Sequence, residues 1–291
     1  MITIQEKLPK LSKALEMKDL YFKREDLHPY GSHKGRSIPV MIDIYIKQGI
    51  EYFAISSSGN AALAAAHHVE KINKHSDKKI FLDILVGQKI TTKKLRKLEQ
   101  FGSDYIKITS HQRPLQTLFE IVKDPKIKAL RQSNDNNALI GYSSLAQELL
   151  EIEDLQAVFI GTSSGTTAEA LAQYFEDNNR DIEMHIVQTS SCHQISSNFV
   201  DDPVIDEASI ADAIVDHTAL RKDTLTQLIK NSNGSGWIAS NEQIKIAQEM
   251  SEKYAGVQIS TNSALSLAGL MQAVYTGKKW SGSVICIICG D

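Results

Sequence analysis

Short apolar runs alternate with longer amphipathic stretches along most of the chain. Near-continuous apolar or β-branched segments fall at residues 20–22, 52–55, 80–86, 105–108, 157–160, 185–187 and 284–288. Between them, residues 60–72, 91–101, 143–152 and 167–176 repeat their apolar positions with a helical period. Strands that are apolar throughout, separated by two-faced helices, predict a parallel α/β sheet covered by helices on both faces. Residues 197–212 are acidic and weakly patterned, and read as an irregular surface connection.

Several strand-like runs end in small polar residues. The 52–55 run leads into Ser56-Ser57-Ser58-Gly59-Asn60, and the 157–160 run into Gly161-Thr162-Ser163-Ser164-Gly165-Thr166-Thr167. The last run leads into Cys289-Gly290. Open α/β sheets bind ligands at the carboxyl ends of their strands, so these loops gather where a site is expected.

Composition narrows the class. At 291 residues the chain can bury a large core as one domain or two lobes. Its net charge of −3 and scattered lysines form no basic, aromatic-interleaved block of the kind that grips nucleic acid. No apolar run approaches the ~20 residues of a membrane helix. The first residues lack the apolar core of a signal peptide, so a cytoplasmic location is expected. Cys286 and Cys289 mimic a C-x-x-C pair but lie in a strand-like run, where side chains three apart face opposite ways. No disulfide is expected there. The nine histidines form no ligand spacing, and no metal is expected.

Two segments carry candidate chemistry. The first is Lys23-Arg24-Glu25-Asp26-Leu27-His28-Pro29-Tyr30-Gly31-Ser32-His33-Lys34. Pro29 and Gly31 favour a turn, and Arg36 sets a second cation two residues from the Lys34 amine, a setting that keeps a reactive amine partly unprotonated. A solvated surface turn explains the same residues taken alone. The second is the 161–167 loop, between a strand and a helix. Its glycines let successive amides turn inward, the helix start adds positive potential, and five hydroxyls in seven residues add donors. It is a phosphate cradle without the lysine of a nucleotide P-loop. Gly161-Thr162-Ser163-Ser164-Gly165 also satisfies G-x-S-x-G, the turn of serine hydrolases, with Asp212 or Asp216 and His217 following in the right order. That remote alternative leaves Lys34 and Asn60 without a task.

Taken in order, these motifs resemble the fold-type-II pyridoxal-phosphate enzymes, the group of tryptophan synthase β, threonine synthase, cysteine synthase and serine/threonine dehydratase. The segment from Lys23 to Lys34, Ser57-Ser58-Gly59-Asn60, the 161–167 loop and Cys289-Gly290 carry the resemblance. It implies pyridoxal 5'-phosphate as cofactor, with Lys34 forming the Schiff base and serving as α-proton base. It implies Asn60 on the cofactor ring oxygen and Gly161, Thr162, Ser163, Ser164, Gly165, Thr166 and Thr167 around the phosphate. Ser57, Ser58 and Ala61 would take the substrate carboxylate, and Cys289 would face the pyridine nitrogen. A neutral thiol there favours β-elimination or β/γ-replacement on a small L-amino acid over transamination.

The subfamily signals are mixed. His33 before the lysine resembles tryptophan synthase β, and Gly165-Thr166-Thr167 resembles cysteine synthase. The Lys23–Asp26 and Ser57–Ala62 stretches resemble threonine synthase and dehydratase, which lie nearest. The implied architecture is two-lobed, with residues 1–41 and 141–291 as the large lobe and 42–140 as a small mobile lobe, the cofactor between them. A homodimer is common among such proteins. Gly35 stands where they carry Asp, Ile or Val, and they normally continue past the last motif with a segment that covers the site. A cofactor-binding but weakly active partner or regulatory protein is the alternative from another class.

Overall fold

The apolar runs become strands, and three strands appear that the pattern does not announce. In chain order they are β1 (Gln5–Lys7), β2 (Asp19–Arg24), β3 (Tyr52–Ser56), β4 (Phe81–Gly87), β5 (Ile106–His111), β6 (Ile127–Ala129), β7 (Leu155–Gly161), β8 (Glu183–Thr189), β9 (Ser235–Ala239) and β10 (Ser283–Ile288). The computed structural model describes residues 2–201, 203 and 205–290. Packing divides the chain into two units, Pro29–Gly141 and the pair Met1–His28 with Tyr142–Asp291. The expected lobe boundary at 41/42 falls inside the helix Lys34–Lys47, which lies entire in Pro29–Gly141.

The unit formed by the two chain ends holds a six-stranded sheet in the order β1-β2-β10-β7-β8-β9. Only β1 runs antiparallel to its neighbour; β2, β10, β7, β8 and β9 are mutually parallel. The central strand β10 is buried at every residue, as its unbroken Ser-Val-Ile-Cys-Ile-Ile sequence requires. Helices flank this sheet, and Thr261–Tyr275 packs its Leu265, Leu267 and Leu270 into the apolar core beside Phe22, Phe159 and Ile288. Cys192, Cys286 and Cys289 are free thiols. Burial pushes the Cys286 thiol far above its ordinary value, so it stays protonated.

The Lys23–Asp26 part of the first motif braces the edge of this sheet. Lys23 is fully buried in β2. Its ammonium donates to the Glu148 carboxylate and to the Thr3 carbonyl at 3.0 Å. Arg24 holds Asp26 through Nε at 2.9 Å and Nη2 at 2.8 Å, and reaches Glu6 on β1 at 3.1 Å. A buried charge is tolerated only when paired, and these pairs knit β1 onto β2.

The Pro29–Gly141 unit holds a four-stranded, wholly parallel sheet in the order β5-β4-β3-β6. Helices Lys34–Lys47 and Asn60–His75 pack against each other. Asn60–His75 begins Asn-Ala-Ala-Leu-Ala-Ala-Ala, a strong helix-forming run whose alanines 62, 64, 65 and 66 are buried. They share a core with Ile38, Met41, Phe53, Ile84 and Leu98.

Candidate functional site

In the unit of the two chain ends, β7 stops at Gly161 because its neighbours leave no room for a side chain. A Cβ there would meet Leu265 Cβ at 2.9 Å and the Asn262 carbonyl at 3.0 Å. The chain then curls. Thr162 donates its N–H to the Val187 carbonyl at 3.0 Å, and its hydroxyl accepts the Gly165 N–H at 3.1 Å. Ser164 and Thr166 hydroxyls bond each other at 2.9 Å. Gly165 takes the left-handed region with φ +85°, where a side chain would be strained and its Cβ would strike Leu225 at 2.8 Å.

The helix Thr166–Asp177 starts at this glycine with no side-chain cap. The amides of a helix's first turn have no intrahelical acceptor, and the glycine at the N-cap brings no side-chain oxygen to them. These residues fit a phosphate: a positive helix end with glycine at its N-cap, a turn tightened at Gly161 and Gly165, and several hydroxyls suit a dianion. Below the helix start, Arg221 donates to Glu169 at 2.9 Å, both residues buried. Burial raises the Glu169 carboxyl above its usual range against the opposing pull of Arg221.

Cys289 follows β10 and lies beside the same loop. Its Sγ is 3.9 Å from the Gly161 carbonyl and 3.8 Å from that of Ile287, and the residue is 6% exposed. The structure therefore brings the 161–167 loop and Cys289 together. It does not assemble a hydrolase triad. Ser163 Oγ accepts backbone N–H groups from Val215 and Asp216, each at 3.0 Å, while His217 Nδ1 lies 3.8 Å from Cys192 Sγ. Burial first, then the Asp216 charge, raises the Cys192 thiol, which makes it a poor nucleophile.

In the Pro29–Gly141 unit, Lys34 is the first residue of its helix and is half-buried. Its N–H donates to Ser32 Oγ at 3.3 Å, and the Gly35 and Arg36 amides close the turn on the Ser32 and His33 carbonyls. Gly31 supplies φ +79° for the bend before it. Tyr30 stacks flat on His67, ring centroids 5.1 Å apart and 2° from parallel, so the Lys34 turn is pinned to the Asn60 helix. Burial lowers His67 and raises Tyr30, keeping both rings neutral. His68 points elsewhere, with Nε2 2.8 Å from Asp43 Oδ1.

Asn60 and Ala61 are the first two residues of Asn60–His75, which also starts without a side-chain cap. Ser57 Oγ accepts the Gly59 N–H at 3.3 Å, and Ser57 and Ser58 are half-buried. An uncapped start on a 16-residue helix, flanked by two hydroxyls, suits a carboxylate.

Two features escape sequence reasoning. The connection after residue 205 is held from several sides. Asn241 Oδ1 accepts the Ile210 N–H at 2.9 Å, Asn262 Oδ1 the Ala213 N–H at 3.0 Å, and Ser163 Oγ those of Val215 and Asp216. Gly141 touches the start of the Lys34 helix, and a Cβ on it would sit 2.4 Å from the Arg36 carbonyl oxygen. Neither announces itself, because in both a stretch of backbone is held by a segment distant in sequence.

The family described as "Pyridoxal-phosphate dependent enzyme" matches residues 3–290. The chain is similar to threonine synthase of Mycobacterium tuberculosis (strain ATCC 25618 / H37Rv), 24% identical over 281 residues, spanning 94% of this chain and 76% of that one. It is similar also to threonine synthase of Bacillus sp. (strain ULM1), 25% identical over 290 residues, spanning 97% and 80%. A pyridoxal 5'-phosphate-dependent aspartate racemase shares the fold with TM-score 0.83 at 20% identity, covering 100% of this chain and 90% of that one. So does the processed form of threonine deaminase isoform 2 from Solanum lycopersicum, with TM-score 0.81 at 19% identity, covering 99% and 78%.

Proposed function

Since the chain belongs to the pyridoxal-phosphate dependent enzyme family, we propose that it acts on a small L-amino acid by β-elimination or β/γ-replacement, in the manner of a threonine synthase or an ammonia-lyase. The observation that carries this reading is the thiol of Cys289 beside the 161–167 loop, where the reaction class depends on whether an anion is present. When bound, pyridoxal phosphate supplies an electron sink for charge developing at the substrate α-carbon. Everything else falls to the chain's own groups.

The cradle of 161–167 orients an anion through the open first turn of Thr166–Asp177 and its hydroxyls. Cys289 brings a thiol rather than a carboxylate to the cradle's edge, and would offer the cofactor ring no fixed negative charge. Such a setting would favour loss of a leaving group from the β-carbon over transamination. Lys34 Nζ is the amine that would hold the cofactor aldehyde and carry the α-proton. The turn at Ser57 and Ser58, with the helix start at Asn60 and Ala61, is suited to fixing a substrate carboxylate.

The test begins with a spectrum. Adding pyridoxal phosphate should give a band near ~410 nm, and borohydride reduction followed by peptide mapping should find the label on Lys34. Small L-amino acids and their phosphate or acyl esters are then screened for pyruvate, 2-oxobutyrate or phosphate release, and for the D-enantiomer. Release of a keto acid or phosphate supports the proposal, and D-amino acid alone replaces it with racemisation. Turnover that survives Lys34→Ala removes it.

A further inference from the structure

Ser163 Oγ has both acceptor positions engaged from outside the 161–167 loop. A serine hydroxyl has two acceptor lone pairs and one proton. The amides of Val215 and Asp216 each reach Ser163 Oγ at 3.0 Å, which uses both lone pairs. The proton is therefore available only for donation. Within the loop, Thr162 Oγ1 accepts from Gly165 N–H, and Ser164 and Thr166 share a bond. The Ser163 backbone is held too, its carbonyl accepting from Gln188 Nε2 at 3.2 Å. Gln188 is fully buried and is itself fixed by the Ile195 and Ser196 amides, both 2.9 Å from its Oε1. Ser163 cannot turn away from the 215–216 amides without breaking this set.

On the other side of those amides lies a self-contained turn. Asp216 Oδ1 accepts the Thr218 and Ala219 amides at 2.9 and 3.2 Å, and Ala213 N–H is tied to Asn262. Val215, at its apex, is 64% exposed, while Ile214 and Ala219 on either side of it are buried and anchor the segment. Between these apolar anchors the backbone is set by hydrogen bonds, and those at Ser163 are the ones that reach the anion cradle. A hydroxyl that donates to an anion becomes a stronger acceptor, because hydrogen bonds in series polarise one another.

We propose that Ser163 is a positioning residue that couples occupancy of the anion cradle to the order of the 213–219 turn, through one proton donated to a phosphate and two amides accepted from the turn. The inference rests on the phosphate-cradle reading of the 161–167 loop. Coupling between two sites is reciprocal, so an ordered turn also tightens the hold on the phosphate.

The experiment is hydrogen exchange, read by mass spectrometry on peptides covering residues 210–219, with the full chain stripped of cofactor, with pyridoxal 5'-phosphate, and with pyridoxal, which lacks the phosphate. The absorption band is recorded in parallel. In the parent protein, pyridoxal phosphate should slow exchange in this segment by at least about fivefold, the low end of coupling between sites. Pyridoxal should leave it unchanged. In Ser163→Ala the band should still form at saturating cofactor while the slowing disappears. Val215→Pro, which removes one amide donor and leaves the loop intact, should reduce the slowing as well. No band in the parent protein rejects the proposed function itself. A band accompanied by no slowing in the parent, by equal slowing with pyridoxal, or by undiminished slowing in both variants rejects the coupling alone.

Discussion

Replacing Gly141 with alanine tests whether the Lys34 turn is placed by a backbone contact more than a hundred residues away in sequence. The new Cβ would lie 2.4 Å from the Arg36 carbonyl oxygen, 2.5 Å from Ser37 Cα and 3.0 Å from Arg36 C. All three are backbone atoms, so no rotamer change relieves the clash. Reaching an ordinary contact of about 3.5 Å requires the helix start to retreat by roughly 1 Å. That movement stretches the Ser37 Oγ bond to the Ala138 carbonyl, now 2.7 Å, and carries Lys34 with it. Overpacking of this kind costs about 1–3 kcal/mol, a fall in Tm of roughly 2–10 °C for a protein of this size. A displacement near 1 Å at a reacting group costs about a hundredfold in rate. The assay follows the Tm and the rate at which borohydride-trappable pyridoxal phosphate accumulates on Lys34. Gly49→Ala is the control, because Gly49 has φ +90° and nothing within 4 Å of an added Cβ. It should lose about 1–2 kcal/mol to backbone strain while trapping at the parent rate. A Gly141→Ala protein with the parent's Tm and trapping rate would refute the reasoning.

Two further substitutions probe buried charge in the other unit. Glu183 accepts from His185 Nε2 at 2.9 Å, Lys278 at 2.8 Å and Trp280 Nε1 at 3.2 Å. Burial pushes its carboxyl up, but these hydrogen bonds and the nearby Lys278 charge outweigh it and hold it down to about 2, below its ordinary 4.5. Since the folded value is depressed, its stabilisation is complete above about pH 4.5 and is lost as pH falls toward 2, and it amounts to about 3 kcal/mol. Glu183→Gln should lower the urea midpoint at pH 7 and converge on the parent by pH 2, and a constant gap across that range would contradict the assignment. Arg221→Leu leaves the Glu169 carboxyl buried without its cation and should cost about 3–5 kcal/mol, whereas a Tm within 1–2 °C of the parent would show that the pair contributes little.

Most of the fold was legible because its strands are apolar end to end and its helices are two-faced. β4 and β10 lie within one residue of the runs that announce them. β1 and β6 have three residues each and sit at sheet edges, too short for a periodic signal. β9, Ser-Gly-Trp-Ile-Ala, is hidden by a glycine whose added Cβ would strike Phe199 at 2.7 Å. The candidate site residues could be picked out where a proposed chemistry demands particular residue types, as at Lys34, Asn60 and the 161–167 loop. The site was opaque where a stretch of backbone is held by a residue distant in sequence. Nothing in the bare residues around Gly141 or Val215 marks them, since a glycine in a turn and an exposed valine are common everywhere. The Lys23–Asp26 segment is the opposite lesson: a motif that drew attention for its charges turns out to brace a sheet.

The position of β10 has a consequence for how this protein is made. It follows every other strand in sequence, yet it lies between β2 and β7 in the sheet. While the ribosome is still translating, β2 and β7 have no partner on those sides, and each presents an open row of amides and carbonyls. The Pro29–Gly141 unit draws all its strands from one continuous stretch and can form early, whereas the larger sheet must wait for residues 283–288 to emerge. Premature release of the nascent polypeptide after β7 but before Ser283 would therefore yield one finished unit joined to an aggregation-prone half-sheet.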